Sequence, residues 1–169
     1  RWLYRYEART PHAIVHIINE RGGLLGTAGT LRLHAVHGED FMVAYTDTFS
    51  EKLLDNLREF AESWNGQRND MLAGLISFNQ PQDGSASSMS VDSIGRVTSF
   101  MEKDVSGDVS WAGAMFARAE FVNEIRDGDM DIASDVLPRL VGRIRVIGHV
   151  EAYDIGRGID AYERLKSIA

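Results

Sequence analysis

The chain has 169 residues and a mass of 18.8 kDa, the size of one ordinary globular domain, and its 44% hydrophobic and 25% charged residues exclude a disordered or low-complexity chain. Lys and Arg number 18 against 25 Asp and Glu, a formal charge of −7 that opposes non-specific binding to nucleic acid or an anionic membrane, so any phosphate must be met locally. The absence of cysteine excludes disulfides, zinc–thiolate sites and thiol catalysis and makes a cytoplasmic location the expectation, and no apolar run approaches the ~20 residues of a membrane span.

The chain opens Arg1-Trp2-Leu3-Tyr4, without an initiator Met or a signal peptide, so the expectation is a single domain over residues 1–169 cut at its N-terminus from something longer. Ala13–Ile18 is short, apolar and β-branched and runs into Arg21-Gly22-Gly23, as a buried strand ending in a loop does. Leu25-Gly26-Thr27-Ala28-Gly29-Thr30-Leu31 reads as a glycine-rich loop entering a helix through Leu33, with Thr27 as its cap. Phe41–Tyr45 is a second buried strand and delivers Asp47 just past its carboxyl end. From Ser50, Leu53, Leu54, Leu57, Phe60, Ala61 and Trp64 repeat at helical spacing.

After a turn over Gly66–Asp70, Met71–Phe78 reads as a strand and Gly84–Ser88 as a loop. Arg96–Met101 has the imperfect alternation of a half-exposed strand leading to Glu102-Lys103, and Trp111–Phe116 is a further apolar run. Helical patterns follow at Glu120–Arg126 and Asp135–Val141, then a strand at Ile144–Val150 leading to Tyr153-Asp154-Ile155-Gly156. A terminal helix places Ile159, Tyr162, Leu165 and Ile168 on one face. Strands and helices alternating at both ends predict a layered α/β domain with a mostly parallel sheet and helices outside.

Asp47 and Asp154 each follow a predicted strand, where ligands of open α/β sheets collect, so the two carboxylates could converge on one Mg²⁺ and its substrate phosphates; Asp after a strand also serves simply to make the turn. The Leu25–Leu31 segment leaves room for a flat ring or a phosphate near backbone donors, though a tight strand-to-helix turn needs the same glycines, and its spacing is neither a P-loop nor a dinucleotide fingerprint. In Glu102-Lys103, Lys103 could meet a phosphate while Glu102 accepts from hydroxyls; a solvated strand end is the plainer alternative. His12 and His16 sit on a predicted strand, which argues against a helical zinc pair, and His34 and His37 decorate a helix end.

The order of these segments carries more than any one of them. Leu-Gly-Thr-Ala-Gly-Thr-Leu-Arg from Leu25, a strand into Asp47-Thr48, Gly95-Arg96-Val97 with Phe100 and Glu102-Lys103, Ala112-Gly113, Asp135-Val136-Leu137-Pro138 and Tyr153-Asp154-Ile155-Gly156 together resemble the sugar nucleotidyltransferases. The resemblance is nearest to bacterial guanylyltransferases acting on mannose 1-phosphate or a manno-heptose 1-phosphate, and it runs over nearly the whole chain. It implies a Rossmann-like α/β fold, a mostly parallel mixed sheet with helices on both faces, that joins a sugar 1-phosphate to a nucleoside triphosphate, GTP favoured, and releases pyrophosphate. It further implies that Gly26, Thr27 and Ala28 lie against the base, that Asp47 and Asp154 hold Mg²⁺, and that Glu102, Lys103 and Gly113 line the sugar-phosphate side, with Asp47, Lys103 and Asp154 as the catalytic set.

The family's N-terminal glycine-rich loop with its Arg and Pro-Lys is absent from these residues, so the expectation is that this chain alone lacks activity and exposes an apolar strip where that segment belongs. Trp111 stands where the family usually has Asn or Gly, Ser87 where Gly is common, and Arg157 where a small or apolar residue follows Asp-Ile-Gly. The alternatives are a non-catalytic pyrophosphorylase-like subunit that binds nucleotide sugar and a metal-dependent glycosyltransferase of related fold, though Asp47-Thr48-Phe49 lacks the latter's second Asp. Neither a nucleic-acid nor a membrane partner is expected, and self-association is left open.

Overall fold

The computed structural model describes residues 5–9, 14–18, 23–35, 38–50, 59–64, 70–79, 85–151 and 153–154. Its elements in chain order are β1 (Arg5–Arg9), β2 (Ile14–Ile18), α1 (Gly26–His34), β3 (Phe41–Ala44), β4 (Thr48–Phe49), β5 (Ala73–Phe78), β6 (Ser88–Val91), β7 (Val97–Met101), β8 (Val109–Ala117), β9 (Ile144–Val150) and β10 (Tyr153–Asp154). The terminal helix expected beyond Ile155, most of the helix expected from Ser50, the Gly66 turn, His12, His37 and Arg157 lie outside the described residues.

The fold is α/β, built on a mixed six-stranded sheet in the order β7-β6-β8-β5-β9 with β3 also paired to β8. Taking the pairings in turn, β3, β5, β6 and β9 run one way and β7 and β8 the other. Most strands therefore share a direction, as expected, but their neighbours are not mostly parallel. The reversed β8 in the middle and the reversed β7 at the edge make every described strand pairing in this sheet antiparallel except β5–β9. The Ala13–Ile18 run forms a strand as expected, and this β2 pairs antiparallel with β1 in a separate two-stranded sheet, because a strand immediately upstream offers a local hairpin partner.

Period-two alternation along β8 builds two cores. Trp111, Met115 and Ala117 face one side with Leu75, Phe121, Ile132, Val136 and Leu137, and Ala28 of α1 packs there. Ala112, Ala114 and Phe116 face the other, against Ile76, Phe78, Val150 and the helical residue Trp64. Helices thus cover both faces. The helical patterns after β8 fold as short tight turns, a 3₁₀ turn at Ala119–Glu124, a π turn at Ile132–Val136 and a 3₁₀ turn at Leu137–Leu140. Pro138 explains the break between the last two: it has no N–H to continue the preceding turn and its fixed φ suits a helix start.

The sheet also curls, so that the amide of Val146 in β9 donates to Gly95 O just before β7 (2.8 Å). On the opposite flank β3 pairs with β8 alone among the described strands, and Met42 on it is 46% exposed. The contrast in burial gives an expected outcome: Leu75→Ala, at a fully buried position between β8 and β9, should cost about 2–5 kcal/mol in urea unfolding, whereas Met42→Ala should stay within about 0.5 kcal/mol.

Candidate functional site

The site originates in a distortion of β8. At its start Val109 and Ser110 pair with Met89 and Ser88 of β6; at its end 114–117 pair with β3. Opposite β5, Trp111 pairs with Ser77 and Met115 with Leu75, which leaves residues 112–114 facing Ile76 alone. This bulge is possible because Gly113 adopts φ +68°, a conformation that costs other L-residues about 1–2 kcal/mol. Tyr45 lies directly on it: its amide donates to Gly113 O (2.9 Å), and a Cβ at 113 would approach the Tyr45 Cβ to 3.0 Å.

Where β8 exchanges β6 for β3 the strands part, and a cleft of about 190 Å³ opens, lined by Tyr45, Asp47, Phe78, Ser85, Ala86, Ser87, Glu102, Trp111, Gly113, Asp131 and Ala133. It lies beyond the carboxyl ends of β3, β5 and β7, at a switch of strand partners, the place where open α/β sheets bind ligands. Its aromatic wall is rigid. Trp111 packs edge-on against Tyr45 (centroids 5.2 Å) and Phe100 (6.1 Å), and its indole N–H donates to Ala114 O (2.9 Å). Buried Ser87 accepts the Trp111 amide at its carbonyl and donates its hydroxyl to the Glu102 carboxylate.

A hydroxyl chain closes the other side. Thr27 Oγ1 accepts from the Ile132 amide (3.0 Å) and the Tyr45 hydroxyl (3.3 Å) and donates to Asp131 Oδ2 (3.0 Å). Asp131 also caps the π turn, its other oxygen accepting from the Ala133 and Ser134 amides (2.7 and 3.0 Å). Asp135 answers from within that turn: the Asp131 and Met130 amides donate to it and hold its carboxyl below the usual carboxylate range. Burial pushes the Tyr45 phenol up to about 12, with the Asp131, Glu102 and Asp47 carboxylates adding to the effect and the Thr27 hydrogen bond opposing it.

The residues singled out from the sequence fall into three groups. Asp47, Glu102 and Gly113 line the cleft. Lys103, next to Glu102, is exposed and takes φ +52°, left-handed and unusual for Lys. Gly26, Thr27 and Ala28 pack against the 130–132 turn rather than lining the cleft. A Cβ on Gly26, at φ +66°, would collide with the Met130 carbonyl, and buried Ala28 donates its amide to that same oxygen (3.1 Å). Thr27 reaches the cleft through Tyr45 and Asp131. It is not the α1 cap: Leu25 occupies the N-cap without a side-chain bond, because the Thr27 hydroxyl is committed to the neighbouring turn.

The backbone brings the last predicted residue close. β10 pairs antiparallel with β4, setting Asp154 opposite Thr48, the residue after Asp47. Among the lining residues not singled out as ligand-contacting are Tyr45, which the sequence presents as the last residue of an apolar strand, and Asp131, whose only signal is that Asp favours the start of a helical turn.

The sequence matches no protein-family model and no curated protein. Solved structures share its fold. HddC from Yersinia pseudotuberculosis superposes with a TM-score of 0.63 at 18% identity, over 88% of this chain and 65% of that one. The same protein complexed with GMP-PN gives 0.63 at 19%, with the same coverage. A Bacillus anthracis protein described as a glucose-1-phosphate thymidylyltransferase, in complex with a sucrose, gives 0.69 at 15%, over 89% of this chain and 63% of that one. The chain has the α/β fold of these proteins and spans less than two thirds of their length. No helix among the described residues is long and apolar enough to cross a membrane.

The raised Tyr45 pKa carries a sign. The folded state binds the phenolic proton more tightly than the unfolded chain, so the associated stability is intact below about pH 10 and is lost as pH rises toward about 12. Urea unfolding of the wild type and Tyr45→Phe across that window should show the wild type losing more stability with rising pH; parallel losses would show that the phenol is not desolvated in the fold.

Proposed function

We propose that this fold serves nucleotidyl transfer: a phosphate oxygen of a sugar 1-phosphate attacks the α-phosphorus of a nucleoside triphosphate, GTP favoured, forming the new O–P bond as the bond to pyrophosphate breaks. The observation that carries the proposal is the convergence of separately predicted segments: Asp47 after β3, Glu102 after β7 and the Gly113 bulge of β8 meet in one cleft, and the β4–β10 register sets Asp154 beside the first of them. The fold shared with HddC, which has been solved with GMP-PN, supports a nucleotide as one ligand.

In this reading Glu102, held by Ser87, accepts from sugar hydroxyls, and Lys103 meets the sugar phosphate. Gly26, Thr27 and Ala28 serve the base side. The chemistry demands in-line positioning of two anions and neutralisation of the charge that develops between them, not a covalent intermediate.

Among the described residues no group of three or more His, Cys, Asp or Glu side chains is arranged for a metal, yet Mg²⁺ typically needs only one or two carboxylates and completes its shell with water and phosphate. Asp47 fits that demand, since it lines the cleft and forms no ion pair with a described residue, and Asp154 is the second carboxylate the backbone supplies. Bound there, Mg²⁺ would supply the charge neutralisation that a chain of net charge −7 lacks.

The test is pyrophosphate release by the intact protein, in Mg²⁺, from a panel of nucleoside triphosphates and sugar 1-phosphates. Asp154→Ala should lower turnover by about 100- to 1,000-fold while nucleotide affinity changes little, because the lost interaction acts mainly in the transition state. Nucleotide-sugar binding without turnover in any combination would favour the non-catalytic subunit instead.

A further inference from the structure

We propose that Tyr45 is a specificity-determining residue of the cleft, its phenolic oxygen accepting a hydrogen bond from one hydroxyl of the sugar. The inference rests on the transferase reading for the name of the ligand, but its argument is a proton count. A hydroxyl has one proton to give and two lone pairs to offer. At Thr27 all three are assigned: the Ile132 amide can only donate to it, the Asp131 carboxylate oxygen accepts its proton, and the remaining lone pair takes the Tyr45 hydroxyl. The Tyr45 proton is therefore spent inside the protein, and what its oxygen can offer a ligand is lone pairs.

Two neighbouring side-chain donors are spent in the same way. The Ser87 hydroxyl goes to Glu102 and the Trp111 indole N–H to Ala114 O. Asp47 and Glu102, also at the cleft, can only accept as carboxylates. A ligand group meeting Tyr45 must then bring its own proton, as a sugar hydroxyl or amine does and a phosphate or sugar carboxylate does not. The residue is held well enough to discriminate: its backbone is bonded to the Gly113 bulge and its ring packs on Trp111. The polarity of the wall thus assigns the sugar ring, and not the phosphate, to the Tyr45 side of the cleft.

The experiment is a fluorescence titration of the wild type and Tyr45→Phe with mannose 1-phosphate, glucose 1-phosphate and their monodeoxy analogues. The phenylalanine keeps the ring and removes only the oxygen. The better of the two parent sugars should bind the variant about tenfold more weakly, the scale of one hydrogen bond. One deoxy analogue should bind the wild type about tenfold more weakly than its parent, yet bind the wild type and Tyr45→Phe alike, a pattern that a general loosening of the cleft would not produce.

Equal parent affinities in the two proteins, a loss spread evenly over all analogues, or no binding of any panel member to the wild type would each overturn the assignment. If the variant fails to fold, the wild-type series still decides, because no analogue weaker than its parent also overturns it. The readout is independent of turnover. The predicted pattern without pyrophosphate release would leave the Tyr45 assignment standing and remove the transferase reading; turnover with an unchanged sugar KM in Tyr45→Phe would do the reverse.

Discussion

Gly113 turns left-handed in the middle of the central strand, and the arrangement of the site follows from that one residue. A regular β8 would keep a single set of neighbours from end to end. With 112–114 bulged opposite Ile76, the strand can serve β6 before the bulge and β3 after it while β5 stays paired on the other side. The cleft is the gap between those two neighbours, and the aromatic wall is what the bulge presents to it. Any side chain at 113 would meet the Cβ and ring of Tyr45 at contact distances of 3.0 to 3.3 Å, so the position couples a backbone conformation to the seat of one particular aromatic ring.

A second junction fixes α1 to this frame. Close approach at Gly26 and the amide of Ala28 tie the start of the helix to Met130, and the Thr27 hydroxyl ties it to Asp131, Ile132 and Tyr45. Asp131 and Asp135 cap one turn reciprocally, so the segment that receives α1 is itself held by charge-assisted bonds to backbone amides. A glycine-rich stretch that could have been only a tight turn is thus joined through one saturated hydroxyl to the wall of the cleft. The Thr27 hydroxyl is therefore a direct physical link between the segment proposed to serve the nucleotide and the residue proposed to meet the sugar.

The strands that bury both faces were legible as apolar runs: β5 lies within Met71–Phe78, β9 coincides with Ile144–Val150, and β8 extends Trp111–Phe116. β6 was hidden because Ser88 closes the stretch read as loop and no strand is read over the residues that follow, although Met89 and Val91 alternate with Ser88 and Ser90 and Met89 is fully buried. β4 and β10, at two residues each, are too short to leave a periodic signal; only their pairing defines them. Strand direction relative to neighbours is set by tertiary pairing and leaves no trace in local pattern, which is why a sheet expected to be mostly parallel proved to have a reversed strand at its centre. Asp47, Glu102 and Gly113 were found as parts of ordered motifs. Tyr45 was not, because its significance comes from a hydroxyl 18 positions away in the sequence and a bulge in another strand.

In the proposed function the gap opened by the Gly113 bulge receives the sugar phosphate while the α1 start serves the nucleotide. Amide and indole chemical-shift mapping of the labelled protein, adding GTP and a sugar 1-phosphate separately in the presence of Mg²⁺, distinguishes the two regions. The sugar phosphate should shift Gly113, Tyr45, Ser87 and the Trp111 indole first, and GTP should shift Gly26 to Ala28 together with Asp47. Sugar-phosphate shifts confined to residues remote from the bulge, with Gly113 and Tyr45 unmoved at saturation, would contradict it.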